Sequence, residues 1–283
     1  MRLLILGARG QLGRELVAHC EPAGHVATAV DIEECDITDS AAVDHWLSGS
    51  GADAVINCAA WTRVDAAESE VDAAFRVNAT GPRVVAASCA AAGVLLTHIS
   101  TDFVFDGTAT SPIDEGAVPH PLSVYGASKL AGEEEVVRGC VRHQVVRTAW
   151  LYGQDGPNFV LTMIRLARER ERLRVVADQH GSPTWTGHLA PAILRLVERG
   201  IPGTYHLTNS GETTWYGLAV AVLEEAGIDC PVDPITTAEY PTAARRPTYS
   251  VLDNRGWREL GEPSLPPWRE GLRSYLAGRR TAR

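Results

Sequence analysis

The apolar run Leu3-Leu4-Ile5-Leu6 leads straight into Gly7-Ala-Arg-Gly10-Gln-Leu-Gly13, and a helical pattern with Leu12, Leu16 and Cys20 on one side follows. Few folds accommodate this order. An uninterrupted apolar strand is buried on both faces, which implies a parallel sheet covered by helices. A glycine turn at the end of such a strand lets backbone approach a pyrophosphate. The helix that follows offers unpaired N–H groups and the positive end of its dipole. The same turn could also serve only to pack a helix closely on a strand, so the motif needs support from the rest of the chain.

That support accumulates along the sequence. His25–Val30 reads as a second strand and ends at Asp31. An acid about 20 residues past the glycines suits a ribose hydroxyl pair and repels a 2′-phosphate. Glu33 and Glu34 add to the repulsion, while Arg9 could offset it and hold a phosphate. NADH is therefore favoured and NADPH stays open. Asp53–Asn57, Val94–Ser100 and Gln144–Trp150 read as three further strands. Residues 64–75 and 78–92 read as helices, and 103–122 as an active-site loop. This alternation predicts an α/β fold, a Rossmann-type doubly wound parallel sheet over residues 1–150. Beyond residue 150 the pattern loosens into helices at 158–171, near 187–199 and near 215–226, a strand near 204–207 and a polar turn at 178–184. We expect residues 151–283 to form a smaller substrate-binding lobe interleaved with the first domain.

Composition narrows the partners. A formal charge of -9 argues against a nucleic-acid surface. No apolar run approaches the ~20 residues of a membrane span. The apolar N-terminal stretch is too short for a signal peptide. Six scattered cysteines, none in a Cys-x-x-Cys pair, read as reduced core thiols of a cytoplasmic protein without a metal site.

The chemistry centres on Tyr125-Gly-Ala-Ser-Lys129. Lys129 is the only lysine; every other basic residue of side-chain type Lys or Arg is arginine. Positions i and i+4 share a helix face, so phenol and ammonium can point into one site. A tyrosine titrates near 10, and bringing it toward ~7 takes about 4 kcal/mol of preferential phenolate stabilisation. Lys129 and an oxidised nicotinamide could supply it. A hydroxyl at the end of the fourth strand, Ser100 or Thr101, would hold a carbonyl oxygen. Taken singly, these residues also suit a helical surface lysine and a strand-end cap.

Together with Asn57-Cys-Ala-Ala-Trp-Thr-Arg-Val-Asp65, Ser100-Thr-Asp-Phe-Val-Phe-Asp-Gly107, Arg147–Gly153, Asp178–Thr184 and Arg246–Asp253, the motifs resemble the extended short-chain dehydrogenase/reductases. Within them the chain is similar to the dTDP-4-dehydrorhamnose reductase family, from Gly7 to about Asp253. The resemblance implies NADH- or NADPH-dependent reduction of the C4 keto group of dTDP-4-dehydro-L-rhamnose. It places Gly7, Gly10, Gln11, Leu12 and Gly13 at the cofactor pyrophosphate, Asp31 at the adenosine ribose, and Asp36 and Ile37 at the adenine. Ala59, Ala60 and Thr62 would line the nicotinamide side. Tyr125 would be the acid, Lys129 would orient the ribose and lower the tyrosine pKa, and Thr101 would assist at the carbonyl. Val64, Asp102 and Trp150 would contact the sugar, and Gln179 and Arg246 the nucleotide. From the residues alone, a Trp at a strand end suits core as well as platform.

The chain departs from the family at two points. Some members pair subunits through a carboxylate-bound magnesium. Glu15 matches one such position, but Gly187 and His188 stand where the second acid is expected, so no metal is expected and the chain reads as a monomer or homodimer. Trp61 replaces a smaller residue and is expected to alter the pocket. Other readings are a reductase of a different dTDP-4-keto-6-deoxysugar and a cofactor-binding regulatory subunit resembling that of methionine adenosyltransferase. A nucleotide-sugar dehydratase fits less well, because Phe103 stands where those enzymes carry a glutamate after Asp102.

Overall fold

The computed structural model describes residues 1–281. The chain begins β1 (Arg2–Leu6), α1 (Gln11–Cys20), β2 (Val26–Val30), α2 (Ser40–Ser50) and β3 (Ala54–Asn57). It continues through α3 (Val64–Ala67), α4 (Val71–Phe75), a π-helical turn (Arg76–Thr80) and α5 (Gly81–Ala92) to β4 (Leu95–Thr101). Then come a 3₁₀ turn (Asp102–Val104), α6 (Val124–Gly139) and β5 (His143–Thr148). These strands and β10 (Gly203–His206) make one parallel sheet in the order β10-β5-β4-β3-β1-β2. The strand order reverses between β1 and β3. At such a point the loops after the two strands part to opposite faces and leave a crevice beyond their carboxyl ends.

Helices cover both faces, as the buried strands require. On one face α1 and α8 (Thr186–Arg199) bury Leu12, Leu16, Leu189, Ile193 and Leu196 against Leu3, Ile5 and Ile56. On the other, Val43, Leu47, Val85, Ala86 and Val136 from α2, α5 and α6 meet Leu4, Leu6, Val55 and Leu96. A third cluster gathers residues after Trp150. They come from β6 (Leu151–Tyr152), α7 (Phe159–Glu169), β7 (Leu173–Val176), α9 (Trp215–Ala226) and α11 (Trp268–Thr281). Short strands β8 (His180–Gly181), β9 (Thr184–Trp185), β11 (Thr213–Thr214) and β12 (Val232–Ile235), with α10 (Arg255–Glu259), complete this part. From the chain after residue 150, β10 joins the main sheet and α8 packs on it.

The structure differs from the sequence reading in three places. The single helix expected over 64–75 is broken at Glu68–Glu70, where the Glu68 carboxylate turns away to accept the N–H of Val124 at 2.8 Å. The helix expected to start at Asn78 is entered through the π turn, in which Gly81 N–H reaches back to Arg76 O. Pro82 has no N–H for Asn78 O, and Gly132 of α6 packs against that carbonyl so tightly that a Cβ would lie 2.0 Å from it. Finally, residues 103–122, expected as an active-site loop, lie almost wholly away from the site. Val104, Phe105 and Ile113 are buried with Ala149 and Leu252, and only Phe103 reaches the cleft described below.

Candidate active site

A cleft of about 860 Å³ lies beyond the carboxyl ends of the central strands, and its walls include each residue that the resemblance assigns to cofactor, carbonyl or sugar nucleotide. The glycine turn forms one end. Gly7 has φ 73°, and a Cβ there would sit 2.6 Å from Ala59 N; a Cβ on Gly13 would sit 2.3 Å from Gly7 O. No side chain caps α1 at Gly10, so its first N–H groups stay available. Gln11 reaches Pro157 O with its Nε2 at 2.9 Å, and its Oε1 is buried without a partner. Uncapped N–H groups, close glycine backbone and an orphaned amide oxygen fit a dinucleotide phosphate group with its ribose.

Asp31 follows β2, and its carboxylate accepts Arg9 N–H at 2.7 Å and Ile32 N–H at 2.8 Å. Arg9 is not available for a phosphate as expected. Its guanidinium bridges the Glu33 and Glu34 carboxylates, and it lies outside the cleft lining. Asp36 accepts Thr38 N–H at 2.9 Å, which holds its carboxyl below the usual range despite partial burial, with Arg76 3.7 Å away. Ile37 lies beside it. Ala59, Ala60 and Thr62 line the next stretch of wall after β3. Trp61 points elsewhere: its ring carries the Arg63 guanidinium at 4.1 Å, so the enlarged side chain leaves the cleft wall to its small neighbours.

The start of α6 brings the reactive groups together. Ser123 Oγ caps the helix by accepting Gly126 N–H at 3.1 Å. Gly126 allows the helix to press on the 3₁₀ turn; a Cβ would meet Phe103 O at 2.2 Å. Tyr125 thereby lies edge-on to Phe103, with ring centroids 5.5 Å apart, and next to Thr101. Burial pushes the Tyr125 phenol up to about 12, partly offset by the Thr101 hydroxyl and reinforced by Asp102. The expected lowering by Lys129 is not seen here, because the Lys129 amine is directed at Ile99 O, 2.7 Å away, and at His98. Burial brings Lys129 down to about 8, against the opposing pull of Glu133 and Cys58. Glu133 itself is bound by Arg147 at 2.6 Å and by the Ser100 hydroxyl.

Asp102 is 2% exposed. Its Oδ1 accepts the Thr101 hydroxyl at 3.1 Å, while Oδ2 is buried with no partner in hydrogen-bond geometry. Burial pushes its carboxyl up to about 6, against the nearby Ser250 and Thr101 hydroxyls. Val64 and Trp150 complete this wall. Trp150 has φ 46°, a left-handed conformation rare for a bulky residue, and Gly181 gives its indole room. Its ring stacks on Trp215, which sequence reasoning missed. Gln179 was expected to reach a nucleotide, yet both ends of its amide are engaged. Oε1 accepts Trp215 Nε1–H at 3.1 Å and Nε2 donates to Thr237 at 3.0 Å. Arg246 pairs with Asp65 at 2.9 Å. Among the described residues no group of three or more His, Cys, Asp or Glu side chains could hold a metal, and Glu15 lies 3.5 Å from the Thr186 hydroxyl.

Comparison with known proteins matches this architecture. A family model described as the RmlD substrate binding domain spans residues 1–280. A dTDP-4-dehydrorhamnose reductase of Streptomyces griseus is 44% identical, covering 96% of this chain and 91% of its own length. A dTDP-4-keto-6-deoxy-D-glucose reductase of Streptomyces niveus is 41% identical, covering 96% of this chain and 95% of its own. The crystal structure of a dTDP-4-dehydrorhamnose reductase from Bacillus anthracis in complex with NADP superposes with a TM-score of 0.95 at 40% identity, over 98% of this chain and 99% of that one. With this fold, this cleft and similarity along its whole length, the chain belongs to the dTDP-4-dehydrorhamnose reductase family.

Proposed function

We propose that the protein reduces the C4 keto group of dTDP-4-dehydro-L-rhamnose to dTDP-L-rhamnose with NADH or NADPH. One observation carries the reading: the Tyr125 phenol, the Thr101 hydroxyl and the Lys129 amine line the same cleft as the glycine cradle. Gly7, Gly10, Gln11, Leu12 and Gly13 hold the pyrophosphate, Asp31 the ribose, Asp36 and Ile37 the adenine, and Ala59, Ala60 and Thr62 the nicotinamide side. When bound, the reduced nicotinamide supplies a hydride.

Tyr125 gives its proton to the C4 oxygen. A phenol raised to about 12 stays protonated at neutral pH, the form that reduction requires. Thr101 turns its hydroxyl from Asp102 Oδ1 to donate to the same oxygen. The buried carboxyl of Asp102 and the side chain of Val64 position the sugar, and Trp150 offers it a flat apolar face. Gln179 acts through Trp215 and not on the nucleotide directly. Arg246 presents its guanidinium at the cleft wall for the diphosphate, in exchange for its pairing with Asp65. The division of labour between residues 1–150 and 151–283 belongs to the same proposal, as does a cytoplasmic monomer or homodimer without nucleic-acid or membrane partners. The formal charge of -9 argues against a nucleic-acid partner, and no described helix is long and apolar enough to cross a membrane.

A second reading rests on the name of the Streptomyces niveus relative: reduction of a different dTDP-4-keto-6-deoxysugar. The test is NADH and NADPH oxidation measured in parallel with dTDP-4-dehydro-L-rhamnose and dTDP-4-keto-6-deoxy-D-glucose. A kcat/KM at least tenfold higher for the first is expected. The reverse order replaces the proposal with the second reading.

A further inference from the structure

The end of the cleft that follows β2 carries a cation beside the place proposed for the adenosine ribose, and two acids hold that cation. Arg9 projects from the glycine turn. Its main-chain N–H is bound to Asp31 Oδ2 at 2.7 Å, which fixes residue 9 next to the acid assigned to the ribose. Its guanidinium is taken up by two other carboxylates. Nη1 donates to Glu33 Oε2 and Nη2 to Glu34 Oε1.

These carboxylates stand on a fixed turn. The N–H groups of Glu34 and Cys35 both return to Asp31 O, at 3.0 and 2.8 Å. The Trp46 indole N–H holds Glu34 O at 3.0 Å, and Cys35 is buried with Val43 and Leu47. Glu34 is also pinned at its second oxygen, because Oε2 accepts the N–H of Asp31 at 3.0 Å. Glu33 is the more exposed of the two.

A single exposed ion pair contributes little. Here, however, two carboxylates occupy one planar fork, and the anchored Glu34 gives up little freedom in pairing. The occupied nitrogens are the ones that would grip a phosphate. A 2′-phosphate beside Asp31 would bring about two negative charges at neutral pH. To be held by Arg9 it must draw the guanidinium off both acids. Asp31, Glu33 and Glu34 would then face the phosphate, two of them without the cation that now neutralises them. A ribose hydroxyl pair disturbs none of these contacts.

We propose that Glu33 and Glu34 set the cofactor preference of this protein. They hold the Arg9 guanidinium away from a 2′-phosphate, and so favour NADH over NADPH beyond what Asp31 does alone. Both act through Arg9 and touch neither the sugar nor the reacting atoms. The inference deepens the proposed function and rests on its placement of the adenosine ribose at Asp31. Its test reads binding and needs no turnover.

The experiment is fluorescence titration with NADH and with NADPH of four forms of the full chain: wild type, Arg9→Ala, Glu33→Gln with Glu34→Gln, and all three substitutions together. Arg9→Ala keeps the main-chain contact to Asp31, and Glu34→Gln keeps an oxygen for the Asp31 N–H. Arg14, whose Nε–H meets Arg9 O at 2.9 Å, is the other cation nearby and is unchanged in all four. In the wild type, Kd for NADPH is expected to exceed that for NADH by about tenfold or more. Replacing both acids is expected to lower the NADPH value about tenfold and to leave NADH within about twofold. Arg9→Ala is expected to raise the NADPH value less than about threefold with the acids present and about tenfold with them replaced, the coupling that a held guanidinium requires.

Equal factors for Arg9→Ala in the two backgrounds would overturn the proposal, since charge at a distance would then account for the preference. So would equal wild-type affinities for the two cofactors, or an NADPH affinity unchanged when both acids are replaced. Each of these results, with NADH still bound, leaves the proposed function standing. Binding of neither cofactor would overturn that function and this inference together.

Discussion

Trp150 and Trp215 lie face to face, their ring centroids 3.5 Å apart and their planes within 4° of parallel. The first sits where β5 leaves the parallel sheet, and the second opens α9 in the part built after residue 150. The stack therefore joins the chain just after β5 to the start of α9 at the cleft. Phe159 backs Trp215 at 4.7 Å, and Gln179 holds its indole N–H. Such aromatic pairs contribute about 0.5–1.5 kcal/mol beyond their buried area. Here the stack also helps to hold Trp150 in its left-handed backbone conformation.

Trp215→Ala should loosen that platform without touching the cofactor end. We expect KM for the nucleotide sugar to rise about tenfold, corresponding to ~1.4 kcal/mol, with cofactor affinity within about twofold of wild type. Trp215→Phe should fall between. Steady-state kinetics with saturating cofactor measure the first effect and fluorescence titration the second. An unchanged KM would show that the stack serves only folding.

Tyr125→Phe removes the proton donor and leaves the ring in its packing against Phe103. General acid catalysis is worth about 10²–10⁴-fold, and kcat should fall by that much. Cofactor binding should persist. Near-normal turnover would remove Tyr125 from the acid role.

Asp31→Ala should weaken NADH more than NADPH, because the ribose loses an acceptor while a 2′-phosphate loses a repelling charge. The Arg9 guanidinium, bound between Glu33 and Glu34, does not offset this repulsion at Asp31 directly. Dissociation constants for both cofactors decide the matter; equal losses would contradict a ribose role.

Asp102 makes stability depend on pH in a defined direction. Its carboxyl titrates at about 6 in the fold, against an ordinary 3.8. Between those values the folded chain keeps a proton that the unfolded chain has lost, so the fold loses stability as pH rises through this window. Above about 6 the cost is complete, near 3 kcal/mol, and below 3.8 it vanishes. Asp102→Asn should therefore stabilise by about 2 kcal/mol more at pH ~8 than at pH ~4.5. Urea unfolding at the two pH values measures this. A gain independent of pH would place the carboxylate in a solvated setting.

Much of this site is legible in the sequence because it is local. A glycine turn between an apolar strand and a helix, or a tyrosine four residues before a lysine, places its atoms by short-range geometry alone. Trp215 was missed for the opposite reason. It meets Trp150 only after the chain has passed through α7, five short strands, α8 and β10, and periodicity carries no record of such a meeting. Gln179 and Arg246 line the cleft, but their partners, Trp215 and Asp65, are equally remote in sequence. One signal was available and unused. Asn57 and His98 interrupt strands that are otherwise apolar and buried, and a buried polar side chain needs a partner; Asn57 Nδ2 lies 3.2 Å from His98 Nδ1. The break before Val71 has a similar origin, in a Glu68 contact to α6 that no helical pattern encodes.

The central claim is hydride delivery to C4 of a dTDP-linked ketosugar. The most direct measurement supplies a reduced nicotinamide deuterated at its transferable position, together with dTDP-4-dehydro-L-rhamnose, and locates the label in the product. Deuterium on C4 of dTDP-L-rhamnose, formed at a rate matching cofactor oxidation, is the predicted result. Cofactor binding without oxidation, or a product with another configuration at C4, would contradict it.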